Sequence, residues 1–154
     1  MYNRKQLFIG VENESVFFWG ARQTGKSTLL KILYPNALIF DLLLSRVYND
    51  LAKAPDSLRE TVLANLNKTP VIIDEVQRLP NLLNEVQWLI VNHNVRFILS
   101  GSSPRKIIRS GANLLFIRKY THIVATPIKN IQFVIGTQPQ NWKWILFLET
   151  TKLQ

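Results

Sequence analysis

The chain has 154 residues, enough for one domain with a substantial core, and no cysteine, which excludes disulfides and thiolate-held metals. Its formal charge of +9 is uneven: residues 1–100 carry 11 Lys/Arg against 9 Asp/Glu, while residues 101–154 carry 8 against the single acid Glu149. No apolar run approaches the ~18–20 residues of a membrane span, and the polar stretch Tyr2 to Gln6 after Met1 argues against a secretory leader, so the expected location is cytoplasmic.

Ser15 to Trp19 is a short apolar run ending at Gly20 and reads as a buried strand feeding a tight turn. Lys26 to Leu33 reads as a helix, ended by Pro35-Asn36. Ala37 to Phe40 is a second strand, closed by Asp41. Ser57-Leu58-Arg59-Glu60 has capping-box spacing, and Leu58, Val62 and Leu66 recur every four residues, which predicts a helix to about Leu66.

Thr69-Pro70 breaks the chain, and Val71-Ile72-Ile73 then runs into Asp74-Glu75. β-branched residues without alternation indicate a strand covered on both faces. Pro80-Asn81 opens a helix with Leu82, Leu83, Val86, Leu89 and Ile90 on one face. Val95 to Leu99 is a strand running into Ser100-Gly101-Ser102-Ser103, Arg105 to Arg109 a short helix, and His122 to Ala125 a fifth strand. Beyond Ile128 no period is clear. Strands alternating with helices predict an α/β fold: a mostly parallel sheet of about five strands with helices on both faces.

Gly20-Ala21-Arg22-Gln23-Thr24-Gly25-Lys26-Ser27 has the form G-x-x-x-x-G-K-[ST], the phosphate-binding P-loop, and it lies where that motif requires, after a strand and at a helix start. Phosphate oxygens need many donors in a small space. Gly20 and Gly25 are expected to let the backbone curl its N–H groups inward, and the helix start adds its dipole and unpaired N–H groups. Gly20, Ala21, Arg22, Gln23, Thr24, Gly25, Lys26, Ser27 and Thr28 are therefore assigned to nucleotide, with Arg22 either touching it or packing outward. Lys26 is expected to reach the β- and γ-phosphates of the nucleotide, and the Ser27 hydroxyl to ligate Mg²⁺.

Asp74 and Glu75 end a strand at the sheet edge where the loop lies. Asp74 is assigned to Mg²⁺, and Glu75 is the base that orients or deprotonates the attacking water. Ser102 and Ser103 are equal candidates for a hydroxyl that senses the water or γ-phosphate; a helix cap ahead of Pro104 is the competing reading. Arg105, Arg109 and Arg118 are candidates for an arginine that stabilises the transferring phosphoryl group. His93 and His122 share no metal-ligand spacing with each other or with acids and read as surface or structural.

The runs FFWGARQTGKSTLLKILYPNALIFDLL, VIIDEVQRLPNLLNEVQWLI, RFILSGSSPRK and SGANLL together resemble bacterial and archaeal AAA-superfamily ATPases in which a P-loop domain precedes a C-terminal domain of unknown function. The resemblance covers about residues 2–118. It implies a P-loop three-layer sandwich and ATP- and Mg²⁺-dependent chemistry, with Lys26, Ser27, Asp74 and Glu75 in the roles above. Family members follow Asn-Leu-Leu with a small residue, Gly and Arg; here Phe116 and Ile117 precede Arg118. The pattern fades thereafter, so the expected organisation is an incomplete AAA-type domain at 1–127 and a basic, aromatic tail at 128–154.

Three functions follow as expectations. The first is an ATPase, slow as an isolated chain and prone to self-association, with Glu75, Lys26, Ser102 and Arg118 as its catalytic set. The second is a nucleotide-binding module with little turnover. The third is a nucleic-acid-binding protein that uses the basic residues 101–154, against which stands a merely solvated face.

Overall fold

The apolar runs become the centre of a parallel sheet. The computed structural model describes residues 13–110 and 121–125. Its strands are β1 (Val16–Gly20), β2 (Leu38–Asp41), β3 (Val71–Asp74), β4 (Phe97–Gly101) and β5 (Thr121–Ala125). They form one sheet in the order β2-β3-β4-β1-β5. All four ladders are parallel. Every residue of β1, β3 and β4 is buried, as unalternating apolar strands require, whereas β2, at one edge, is half-buried throughout.

Among the described residues five helices cover the sheet: α1 (Lys26–Leu33), α2 (Ser45–Lys53), α3 (Ser57–Leu63), α4 (Leu82–His93) and α5 (Pro104–Arg109). Successive strand residues alternate between two cores. Val16, Phe18, Ile72 and Ile98 pack with Leu29 and Leu30 of α1 on one face. Phe17, Trp19, Val71, Ile73, Phe97 and Leu99 pack with Leu51, Leu58, Val62, Leu82, Leu83, Val86, Leu89 and Ile107, from α2 to α5, on the other. This is the expected three-layer α/β arrangement.

Several boundaries differ from the sequence expectation. β1, β2 and β4 each begin and end one or two residues later than their apolar runs, because the ladder takes in Gly20, Asp41 and Ser100-Gly101. Ser15 stays out of β1, and its Oγ instead accepts from the Phe97 amide at 2.9 Å. α3 stops at Leu63: Asn65 Nδ2 donates to the Thr61 carbonyl at 2.8 Å, the chain turns, and Leu66 is left exposed. No capping box forms there. Asp56 precedes the helix, and Ser57, its first residue, donates its Oγ to the Ala54 carbonyl at 2.6 Å. α2 has no counterpart in the sequence reading. Leu51 is its single buried residue, and no side chain caps its start, so its signal is too weak to read from periodicity.

Order in the sheet is what positions the site. β4 lies between β3 and β1, so the ends of all three strands open side by side on one edge.

Candidate functional site

β1 delivers the chain at Gly20 into an exposed turn, Ala21 to Gln23, from which α1 starts at Lys26. The curl does not use the two glycines equally. Gly25 is left-handed (φ 76°), and Gln23 takes the second left-handed position (φ 63°), while Gly20 stays in the strand. Thr24 Oγ1 closes the turn on the Ala21 carbonyl at 2.8 Å. Gly25 precedes α1 without a capping side chain, so the helix start is lined by main-chain N–H groups alone.

Lys26 is 5% exposed. Its Nζ donates to the Gly20 carbonyl at 2.7 Å and the Ala21 carbonyl at 3.0 Å, folding back along the loop. Burial holds its ammonium below the ordinary value of 10.5, opposed by the charges of Glu75 and Asp74. The loop lysine and the two acids, nearly fifty residues apart in sequence, therefore share one electrostatic environment.

Asp74 ends β3 and is 4% exposed. One carboxylate oxygen, Oδ2, accepts from Ser27 Oγ; the other, Oδ1, accepts from the Glu75 amide at 3.0 Å. Ser27 and Asp74 thus bring a hydroxyl and a carboxylate together beside the loop, the hard oxygen donors that suit Mg²⁺.

Glu75 is buried and left-handed (φ 59°, ψ 41°), a conformation uncommon for a residue with a Cβ. Its Oε2 accepts from Gln77 Nε2, in the 3-10 turn Val76–Arg78. The same nitrogen donates to Ser102 Oγ at 3.1 Å. In sequence Gln77 carries no signal beyond its place two residues after Glu75.

The two serines, left equal by the sequence, divide. Ser103 is the cap of α5, its Oγ accepting from the Arg105 amide at 3.3 Å; Ser102 joins the Gln77–Glu75 network. Ser100, the first hydroxyl of the Ser-Gly-Ser-Ser run, is fully buried, and it has no hydrogen-bond partner among the described residues. Asp41 stands beside Asp74 in the sheet register, but its Oδ1 is occupied by the Leu43 amide at 2.9 Å. Arg22, Arg105 and Arg109 are exposed. His93 is exposed and lies against Trp88, with ring centroids 5.0 Å apart, in keeping with a surface position. Arg118 and the tail at 128–154 lie outside the described residues. Among the described residues no helix is long and apolar enough to cross a membrane.

The family model described as "AAA domain" matches residues 12–132, well over half of the chain. No curated protein matches it.

Proposed function

Starting from the fact that the chain belongs to the AAA domain family, we propose that it binds ATP with Mg²⁺ and hydrolyses it at the edge formed by β1, β3 and β4. The observation that carries this reading is the Ser27–Asp74 hydrogen bond, which joins the loop to the acidic strand end. The loop from Gly20 to Thr28 holds the phosphates through its N–H groups and the start of α1. Lys26, now bonded to two loop carbonyls, exchanges them for the β- and γ-phosphates. Ser27 and Asp74 would hold Mg²⁺, which would neutralise phosphate charge when bound. Glu75, buried beyond Asp74, orients the attacking water and takes its proton, and Ser102 stands at the neighbouring strand end as the hydroxyl for water or γ-phosphate. Arg105, Arg109 and Arg118 stay candidates for the arginine that stabilises the transferring group.

The test is nucleotide binding and phosphate release by the purified chain beside Lys26→Ala and Glu75→Gln. Lys26→Ala is expected to lose affinity, and Glu75→Gln to keep affinity and lose hydrolysis. Equal affinity of wild type and Lys26→Ala, with the fold intact by circular dichroism, sinks the reading.

A second reading rests on α5, which exposes Arg105, Lys106 and Arg109 together at the start of the basic third. Contact with nucleic acid through residues 101–154 predicts retention on DNA that falls steeply with salt. Retention independent of salt counts against it.

A further inference from the structure

Gln77 has no part in the reaction as described, yet it is held as tightly as the residues that do. It is 6% exposed, and its Nε2 makes two bonds, to Glu75 Oε2 and to Ser102 Oγ. Its Oε1 is buried and has no hydrogen-bond partner among the described residues. That oxygen lies over Gly101, where a Cβ would overlap it and come within 2.8 Å of the Trp19 ring. Reversing the amide would set its carbonyl oxygen against the Glu75 carboxylate, so the two donated bonds fix its orientation. An unpaired buried acceptor is unfavourable, and here it is the consequence of turning both protons toward the site.

Glu75 is constrained from its other end as well. Its backbone is left-handed, and its amide is tied to Asp74 Oδ1. The backbone fixes where the side chain starts, and Gln77 fixes where its carboxylate ends. We propose that Gln77 is a positioning residue, whose amide clamps the Glu75 carboxylate to Ser102 so that the end of β3 and the end of β4 act on the attacking water as one unit. The inference rests on Glu75 being the base.

Gln77→Met tests it, since methionine keeps the length and the burial but removes both donors. Affinity for a fluorescent ATP analogue with Mg²⁺ and the rate of phosphate release are measured for wild type, Gln77→Met, Glu75→Gln and the double variant. Gln77→Met is expected to bind within about twofold of wild type while kcat falls about 10- to 100-fold, the range of an outer-shell contact. Added to Glu75→Gln, it is expected to lower kcat no further, because it acts only through Glu75. A readout without nucleotide accompanies this: in urea, Gln77→Met and Ser102→Ala are expected to be non-additive, the double variant unfolding near the midpoint of Gln77→Met. An unchanged or raised kcat in Gln77→Met, a full further loss in the Glu75→Gln background, or additive midpoints overturns the clamp. Failure of the underlying reading looks different. If Glu75→Gln hydrolyses as fast as wild type, or wild type releases no phosphate, Glu75 is not a base and the clamp falls with it. An inactive Glu75→Gln beside a fully active Gln77→Met removes the clamp alone.

Discussion

Ser27 Oγ donates a hydrogen bond to Asp74 Oδ2 across a separation of 47 residues. It links the first turn of α1 to the end of β3, although β4 intervenes between β3 and the strand that feeds α1. A hydroxyl and a carboxylate already in contact need little rearrangement to share a hard cation with a phosphate. The ratio of ATP affinity with and without Mg²⁺ is therefore expected to fall about tenfold or more in Asp74→Asn and in Ser27→Ala. Calorimetric titrations with Mg²⁺ and with EDTA check this. An unchanged ratio in both variants places the cation elsewhere.

Lys26 carries a pH signature. Burial lowers its folded pKa below the unfolded value near 10.5. As pH rises, the folded chain gives up this proton before the unfolded chain does. The unfolded state then binds more protons, and stability from this group rises with pH between the lowered value and 10.5. Below that window the buried charge is a constant penalty. Wild type is therefore expected to gain stability relative to Lys26→Met as pH climbs through the window, read from urea unfolding at stepped alkaline pH. Parallel curves for the two proteins contradict the shift.

Lys26 is also expected to dominate affinity. A hydrogen bond to a charged group contributes about 1.5–3 kcal/mol, so Lys26→Ala is expected to weaken ATP–Mg²⁺ binding about 10- to 100-fold. On the proposed binding mode ATP takes the protonated amine, so wild-type affinity is expected to decline as pH rises above the lowered value. Fluorescence titrations at neutral and alkaline pH measure both effects.

Gly101 leaves no room for a side chain between Gln77 and Trp19. Gly101→Ala is expected to displace the Gln77 amide without altering any polar group, and so to lower the rate of phosphate release toward that of Gln77→Met. Overpacking at such a site costs about 1–3 kcal/mol. Chemical denaturation beside the phosphate assay separates the two effects, and full activity in Gly101→Ala shows that Gln77 retains its bonds.

Stability is expected to reside in the cores and not in surface pairs. Leu89, on the buried face of α4, is fully buried, and Leu89→Ala is expected to cost about 2–5 kcal/mol. Arg59 pairs with Glu85 and lies over the Trp88 ring, but its side chain is 37% exposed, so Arg59→Met is expected to cost less than Leu89→Ala. Equilibrium urea unfolding of both variants checks the order.

Much of this protein is written in short local patterns. The unalternating runs Val71-Ile72-Ile73 and Phe17-Phe18-Trp19 specify strands buried on both faces, because each residue needs an apolar neighbour whichever way it points. The loop Gly20 to Ser27 and the pair Asp74-Glu75 announce themselves by residue type and by position at strand ends. Helices with several buried residues, α1 and α4, are legible from spacing; α2, with one, is not.

Tertiary structure decided what spacing cannot carry. Placing β4 between β3 and β1 brings Ser102 to the site and leaves Ser103 as a cap, and nothing in Ser-Gly-Ser-Ser distinguishes them beforehand. Which of the loop residues adopts the left-handed backbone beside Gly25 is settled by closure of the turn, and it is Gln23 and not Gly20. Gln77 looks like any polar residue after a strand until the end of β4 arrives beside it. A hydrogen bond depends on where two chains meet in space, and the sequence records only the order in which they were made.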